Sequence, residues 1–222
     1  MLLYGSSLSP FVRKVLVFAA EKGIELPVKG LVVGSEDPEF RAASPFGKMP
    51  ALRDGDFTVA DSSAIVAYLD ALHPEPNLIP TKPKARARCV WFEEFADTIV
   101  MECGRRIFFN RIVSPMFLGR EGDLQAADRA EREQLPPLLD YLEGQVSESL
   151  FLVEDRFTLA DIAVASPFLN VIHHLEIAID PTRYPRLTAY LQTILARPSF
   201  SHWLQKEQRL FARVRSEALA AS

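Results

Sequence analysis

Three short stretches of this 222-residue chain combine residue types that can do chemistry together. The first is Ser9-Pro10-Phe11-Val12-Arg13-Lys14-Val15, where a short apolar run hands over to an amphipathic one. Serine suits a helix N-cap and proline the first helical position, so a well-made helix start accounts for the pair on its own. The same geometry has a second use. A hydroxyl beside the open N–H groups and positive dipole end of a helix can stabilise a bound thiolate. The second stretch is Ser44-Pro45-Phe46-Gly47-Lys48-Met49-Pro50-Ala51-Leu52. A cis Met49–Pro50 bond would turn the backbone N–H and C=O of Met49 outward as a free edge, able to pair with a short extended peptide. A trans proline that merely opens a strand fits these residues equally. The third stretch is Asp61-Ser62-Ser63-Ala64-Ile65, at the head of another helical pattern. Asp61 reads first as an N-cap. Yet the N–H groups there can hold a carboxylate while the Asp61 side chain meets an ammonium, and a zwitterionic α-amino-acid head group needs both.

These stretches need a scaffold, and strand-like and helix-like segments alternate around them. Leu2–Ser6 reads as a strand, Pro10–Lys22 as an amphipathic helix closed by Gly23, and Val28–Val33 as a second strand. A short helix follows near Pro38–Ala43. Pro50–Arg53 and Phe57–Val59 form a hairpin around Asp54-Gly55-Asp56, and Asp61–Leu72 is a third helix. The order β-α-β-α-β-β-α predicts a sheet with helices on its faces. Pro74, Pro76, Pro80 and Pro83 then fall within ten residues, a density that halts helices and stiffens a connection. We therefore expect one domain over residues 1–80 and another over 84–222. The second carries helical period throughout. Cys89, Phe92, Ala96, Ile99 and Cys103 form a predicted apolar stripe, with further helices near Asp123–Glu148, Leu159–His174, Arg186–Ala196 and Phe200–Leu219. Phe157-Thr158-Leu159-Ala160-Asp161-Ile162 has capping-box spacing and staple-like apolar flanks. It is assigned to folding, with Asp161 buried.

Composition narrows the function. The balance of 48% hydrophobic and 24% charged residues is that of an ordinary globular protein. A net charge of −4 with scattered Lys and Arg gives no basic stripe for nucleic acid. The run Ile162–Leu175 is too short to span a bilayer. Arg13 and Lys14 follow the first apolar residues rather than precede them, unlike a signal peptide, so the expected compartment is the cytoplasm. Cys89 and Cys103 stand about 21 Å apart along one helix, beyond disulfide reach, and read as small core residues. His173 and His174 point to different helix faces, and no metal motif is present, so no metal is expected.

Taken in order along the whole chain, the catalytic-serine pattern at Ser9, the proline motif at Lys48-Met49-Pro50-Ala51-Leu52, the Asp61-Ser62 pair and the Thr158–Asp161 box resemble the cytosolic glutathione transferase family, in its serine-type branch (theta-, zeta-, delta- or tau-like). The resemblance implies a fold of class α/β plus all-α: an N-terminal thioredoxin-like βαβαββα domain that binds glutathione, then a C-terminal helical bundle that binds the second substrate. It implies that Ser9 bonds the glutathione sulfur and that Met49, before the cis Pro50, pairs with the cysteinyl unit. Lys48 then approaches the glycyl carboxylate, and Asp61 with Ser62 holds the γ-glutamyl end. It places a hydrophobic electrophile near Leu8, Arg105, Phe108, Phe109 and Phe117, whose ordinary alternative is helix core or surface. It further implies glutathione as cosubstrate and a homodimer. Tyr4 stands too early for the family's catalytic tyrosine and reads as a strand residue. Ser9 occupies the position where redox-active classes carry cysteine, which argues against a thiol-reductase role. The rival expectation is a family-like interaction or regulatory protein without catalysis, for which the glutathione-binding residues would have no use.

Overall fold

A computed structural model describes residues 1–220 and divides the chain into two units, the first running from Met1 to Pro80 and the second beginning at Thr81. The first unit runs β1 (Leu2–Gly5), α1 (Pro10–Glu21), β2 (Val28–Gly30), α2 (Pro38–Ala43), β3 (Ala51–Asp54), β4 (Phe57–Ala60) and α3 (Ser62–Leu72). The strand order is β2-β1-β3-β4, with β1 parallel to β2 and antiparallel to β3, and β3 antiparallel to β4. This is the predicted succession. The hairpin closes over Gly55 and Asp56, with Gly55 at φ 61, a conformation that favours glycine. One boundary moves. The second strand stops at Gly30 rather than Val33, because β1 ends at Gly5 opposite Gly30 and an edge strand has no ladder beyond its partner. Val32 and Val33 are exposed beyond that end.

Alternation along β1 sends Tyr4 to one face of the sheet and its neighbours to the other. Tyr4 packs with Phe40, Ala43 and Ala51, and Leu2, Leu31, Met49 and Ala60 lie against that cluster. Tyr4 is thus a core residue of β1, as its position predicts. Helices α1 and α3 pack against each other and bury Val12, Val15, Leu16, Ile65, Val66 and Leu69. At the far end of α1, the buried Lys22 ammonium donates to the carbonyls of His73 (2.7 Å), Pro74 (3.2 Å) and Pro76 (2.9 Å). It also lies 2.8 Å from Asp70. One cation therefore bonds the carbonyl just past the end of α3 and two more in the proline segment, holding the start of that segment in place.

The second unit is helical throughout. Its elements are α4 (Pro83–Glu94), α5 (Met101–Phe108), α6 (Ser114–Phe117), α7 (Leu124–Arg129), α8 (Leu135–Glu143), α9 (Leu159–Leu169), α10 (Pro185–Leu195) and α11 (Pro198–Ala220). Turns of π-helix at Phe95–Val100, Phe109–Val113, Ala130–Gln134 and Asn170–His174 join several of them end to end. Helix α9 is apolar or small on every side and every residue of it is buried, against α4 and α10. The predicted stripe on the long helix needs one correction. Cys89, Phe92, Ala96 and Cys103 are buried, but Ile99 is 42% exposed and Val100 at 2% takes its place. The π turn at 95–100 is wider than an α turn, which advances the inward-facing phase by one residue.

Candidate functional site

The sheet register draws the three chemically suggestive stretches to one end of the first unit. Ala51 pairs with Tyr4 on one side and with Ala60 on the other. The next residues outward are Gly5, Pro50 and Asp61, so the end of β1, the start of β3 and the end of β4 coincide. Gly5 lies so near that a methyl group placed on it would stand 3.5 Å from Met49 Cβ and 2.6 Å from Val12 Cγ2. A larger residue at Gly5, which sits at φ 151, would push these segments apart.

Ser9 occupies the N-cap position of α1, with Pro10 at the first helical position, but its side chain makes no capping bond. Its backbone is held instead: Ser9 N–H donates to Ser6 C=O at 3.0 Å, and Arg13 N–H to Ser9 C=O at 2.9 Å. The half-buried hydroxyl has no hydrogen-bond partner among the described residues, so it is free to donate outward beside the helix N-terminus. Ser6 Oγ accepts from Leu8 N–H at 3.4 Å.

The Met49–Pro50 bond is cis. The loop before it is clamped by the buried Ser44, whose hydroxyl accepts from Lys48 N–H at 3.0 Å and donates to Lys48 C=O at 2.7 Å. The backbone N–H and C=O of Met49 have no bond among the described residues. Lys48 is exposed, and its ammonium has no partner among them either.

Asp61 adopts φ 84 and ψ 133, an unusual conformation for a residue with a side chain, costing on the order of 1–3 kcal/mol. Its Oδ1 accepts from Ser63 N–H at 2.8 Å and Ala64 N–H at 3.2 Å, which makes it the N-cap of α3. Its Oδ2 stays open, so capping and ammonium binding do not compete. Ser62 is only 2% exposed, yet its hydroxyl has no partner among the described residues. A hydroxyl at this helix start can bond a ligand group. From α1, Lys14 Nζ donates to Ser63 Oγ at 3.1 Å, a contact across 49 residues that no local pattern announces.

The proposed second-substrate residues divide. Leu8 is half-buried in the turn after β1, and Arg105 is exposed on α5. Phe109 is half-buried in the π turn after α5. Phe108 and Phe117 enter one aromatic group. The Phe108 ring stands 6.2 Å from His174, His174 stands 4.7 Å from Phe211, and Phe117 stands 6.0 Å from Phe211. His174 Nε2 lies 2.8 Å from Glu207 Oε2, with both side chains 1% exposed. The sequence offered no signal for this pair, since the two residues are 33 positions apart on separate helices.

The chain matches two family descriptions, "Glutathione S-transferase, N-terminal domain" over residues 3–77 and "Glutathione S-transferase, C-terminal domain" over residues 101–198. A glutathione S-transferase of Hyoscyamus muticus is 30% identical over 94% of this chain and 99% of its own. The chain belongs to the glutathione S-transferase family. A stringent starvation protein A homolog of Coxiella burnetii is also similar, 28% identical over 94% of this chain and 93% of its own. Among solved structures, that of glutathione S-transferase III in apo form is 30% identical, with a TM-score of 0.76 over 92% of this chain and 95% of that one.

Within this transferase fold the native cysteines are chemically quiet. Burial pushes the Cys89 thiol up to about 12 and that of Cys103 to about 11. The position at Ser9 carries a hydroxyl rather than a thiol. Asp161 is buried at the start of α9 and serves as its capping-box acid. No helix among the described residues is long and apolar enough to cross a membrane.

Proposed function

We propose that the chain works in the cytoplasm as a serine-type enzyme of its family, holding glutathione at the end of the β-sheet and activating its thiol toward a hydrophobic electrophile. The observation that carries this reading is the Ser9 hydroxyl, placed at the N-terminus of α1 with no protein partner among the described residues. Around it, the open backbone edge of Met49 suits the cysteinyl unit, and Asp61 Oδ2 with the Ser62 hydroxyl suits the γ-glutamyl head group. The unpartnered Lys48 ammonium suits the glycyl carboxylate.

The energetics are adequate. A free thiol titrates near 8.5, and lowering it by ~2 units needs about 2.7 kcal/mol of preference for thiolate. A hydrogen bond to a charged acceptor supplies ~1.5–3 kcal/mol and a helix N-terminus ~0.3–1 kcal/mol. The thiol proton leaves to solvent, and the sulfur lone pair forms the bond to the electrophilic carbon while a leaving group or an activated double bond takes up the electrons. Hydroxyls at Ser9 and Ser62 with no protein partner among the described residues favour this enzyme over a regulatory module of the same fold, which has no use for either. Leu8, Arg105, Phe108, Phe109 and Phe117 are assigned to the electrophile. The aromatic group around Phe211 supports an apolar substrate.

Replacing Ser9 with alanine tests the reading. Turnover at neutral pH should fall by about one to two orders of magnitude, equivalent to ~1.4–2.8 kcal/mol, while glutathione affinity falls far less. Losing the donor raises the thiol pKa, so the rate should recover as pH rises. Full activity with an unshifted pH profile would leave Ser9 a helix-start residue only. The reading also includes a homodimer, supported by Val90, Trp91 and Ile99, which are exposed on α4 and the π turn that follows it. Sedimentation at micromolar concentration should show a species of twice 24.9 kDa, and a purely monomeric species would count against it.

A further inference from the structure

The π turn Asn170–His174 continues α9 without a break, and its last residue meets the middle of α11. His174 Nε2 stands 2.8 Å from Glu207 Oε2, and both side chains are 1% exposed. Two rings lie against the imidazole, Phe211 at 4.7 Å and Phe108 at 6.2 Å. Apart from this bond, α11 turns Phe200 and Phe211 into the interior. Apolar contact is non-directional, so by itself it lets a helix slide or roll at little cost. One residue of slippage shifts a side chain by about 1.5 Å along the axis and turns it by about 100°. Slippage here would bury an acid away from its base, which is strongly unfavourable. The other acids near the turn are engaged elsewhere. On α5, Glu102 is bonded to Arg106, and on α9, Asp161 accepts from Thr158 and Leu152. The His174–Glu207 bond therefore singles out one register for α11.

We propose that His174 and Glu207 are positioning residues for the second substrate, their bond fixing the register of α11 and so the place of the Phe211 ring beside Phe117. Phe211 follows Glu207 by four residues and shares its face of the helix, so whatever fixes the one fixes the other. The Phe211 ring stands 6.0 Å from Phe117 at an interplanar angle of 69°, an edge-on contact that tolerates little displacement. Phe117 and Phe108 belong to the wall assigned above to the electrophile, so the inference rests on that reading. It adds the pair that sets the shape of the wall. Neither His174 nor Glu207 touches the substrate; both act through Phe211.

The test is steady-state kinetics of the whole chain with glutathione and two probes of different apolar size, benzyl chloride and 4-tert-butylbenzyl chloride. Glu207→Leu should change the ratio of kcat/KM between the two probes by about tenfold, the scale on which a methylene-sized change in an apolar pocket acts. The KM for glutathione should stay within about twofold. Glu207→Gln keeps an oxygen that accepts from the imidazole and should hold the ratio near that of the unaltered protein. His174→Phe combined with Glu207→Leu separates positioning from stability. With no polar partner stranded, its melting temperature should return toward that of the unaltered protein, while the altered ratio should persist. An unchanged ratio in this folded double variant overturns the assignment and leaves the pair a packing feature. A parallel loss for glutathione and both probes also overturns it, since that is general loosening. An unaltered protein that binds glutathione but transfers it to neither probe overturns the enzyme reading and this assignment with it.

Discussion

Thr158 N–H donates to Asp161 Oδ2 at 2.8 Å, and that carboxylate is wholly buried at the start of α9. The Thr158 hydroxyl donates to the same oxygen at 3.1 Å, and Leu152 N–H to Oδ1 at 3.1 Å. Asp161 therefore ties the preceding loop to the most deeply buried helix of the second unit. Asp161→Ala strands two buried N–H donors at about 1–3 kcal/mol each, so urea unfolding should show a loss of roughly 3 kcal/mol. Glutathione affinity of the folded fraction should hardly change. A loss below about 0.5 kcal/mol would mean that water replaces the carboxylate at little cost.

The same residue gives a pH dependence. Burial pushes the Asp161 carboxyl up to about 6, against the opposing hydrogen bonds from Thr158 and Leu152. The folded state then keeps a proton that the unfolded chain releases near 3.9. This stability is fully present below about pH 4 and is lost as pH rises through about 6. Asp161→Asn cannot titrate, so the stability of the unaltered protein relative to it should fall by about 2 kcal/mol between pH 4 and pH 7. An advantage that grows with pH instead would show that the hydrogen bonds outweigh burial.

Lys22 should be a costly buried charge to lose. Lys22→Met leaves three backbone carbonyls and Asp70 without their cation, and thermal melts should show a loss of about 2–4 kcal/mol. The effect belongs to the end of α3 and the proline segment, far from Met49. Glutathione affinity should therefore stay within about twofold, or ~0.4 kcal/mol. A large loss of affinity with an unchanged melting temperature would contradict this division.

Asp61 combines a cap and a proposed ligand contact, and two substitutions separate them. Asp61→Asn keeps an acceptor for Ser63 and Ala64 N–H, so stability should drop by less than about 0.5 kcal/mol while glutathione affinity falls about tenfold. Asp61→Ala should lose affinity and, in addition, about 1 kcal/mol of stability. Unchanged affinity in the asparagine variant would reduce Asp61 to a cap.

With thiols raised to about 12 and about 11, Cys89 and Cys103 should resist a thiol reagent in the native protein at neutral pH. Both should react once the chain is unfolded in urea. Rapid labelling of the native form would point to opening of the helices that bury them.

Most of the first unit was legible because its signals are local. Pro38 opens α2 and Asp37 accepts from Phe40 N–H at 3.0 Å, all within four residues. Asp54-Gly55-Asp56 closes the hairpin by the freedom of one glycine. β-propensity continues through Val32 and Val33, whereas the strand ends at Gly30, where its neighbour does. Ile99 falls outside the buried stripe because a period of 3.6 does not carry across a π turn, and the residue types do not mark that turn. The site shows the same split. Ser9, Lys48, Met49, Asp61 and Ser62 announce themselves by caps and turns, but the Lys14–Ser63 contact and the His174–Glu207 pair do not.

The sequence alone determined where the helices of the first unit start and stop, since caps, prolines and periodicity act over a few residues. Tertiary structure decided which hydroxyls stay unbonded. Whether the side chains of Ser9 and Ser62 are consumed by the fold or left open depends on neighbours brought in by the register of β1, β3 and β4. Serine at a helix start reads the same in either case.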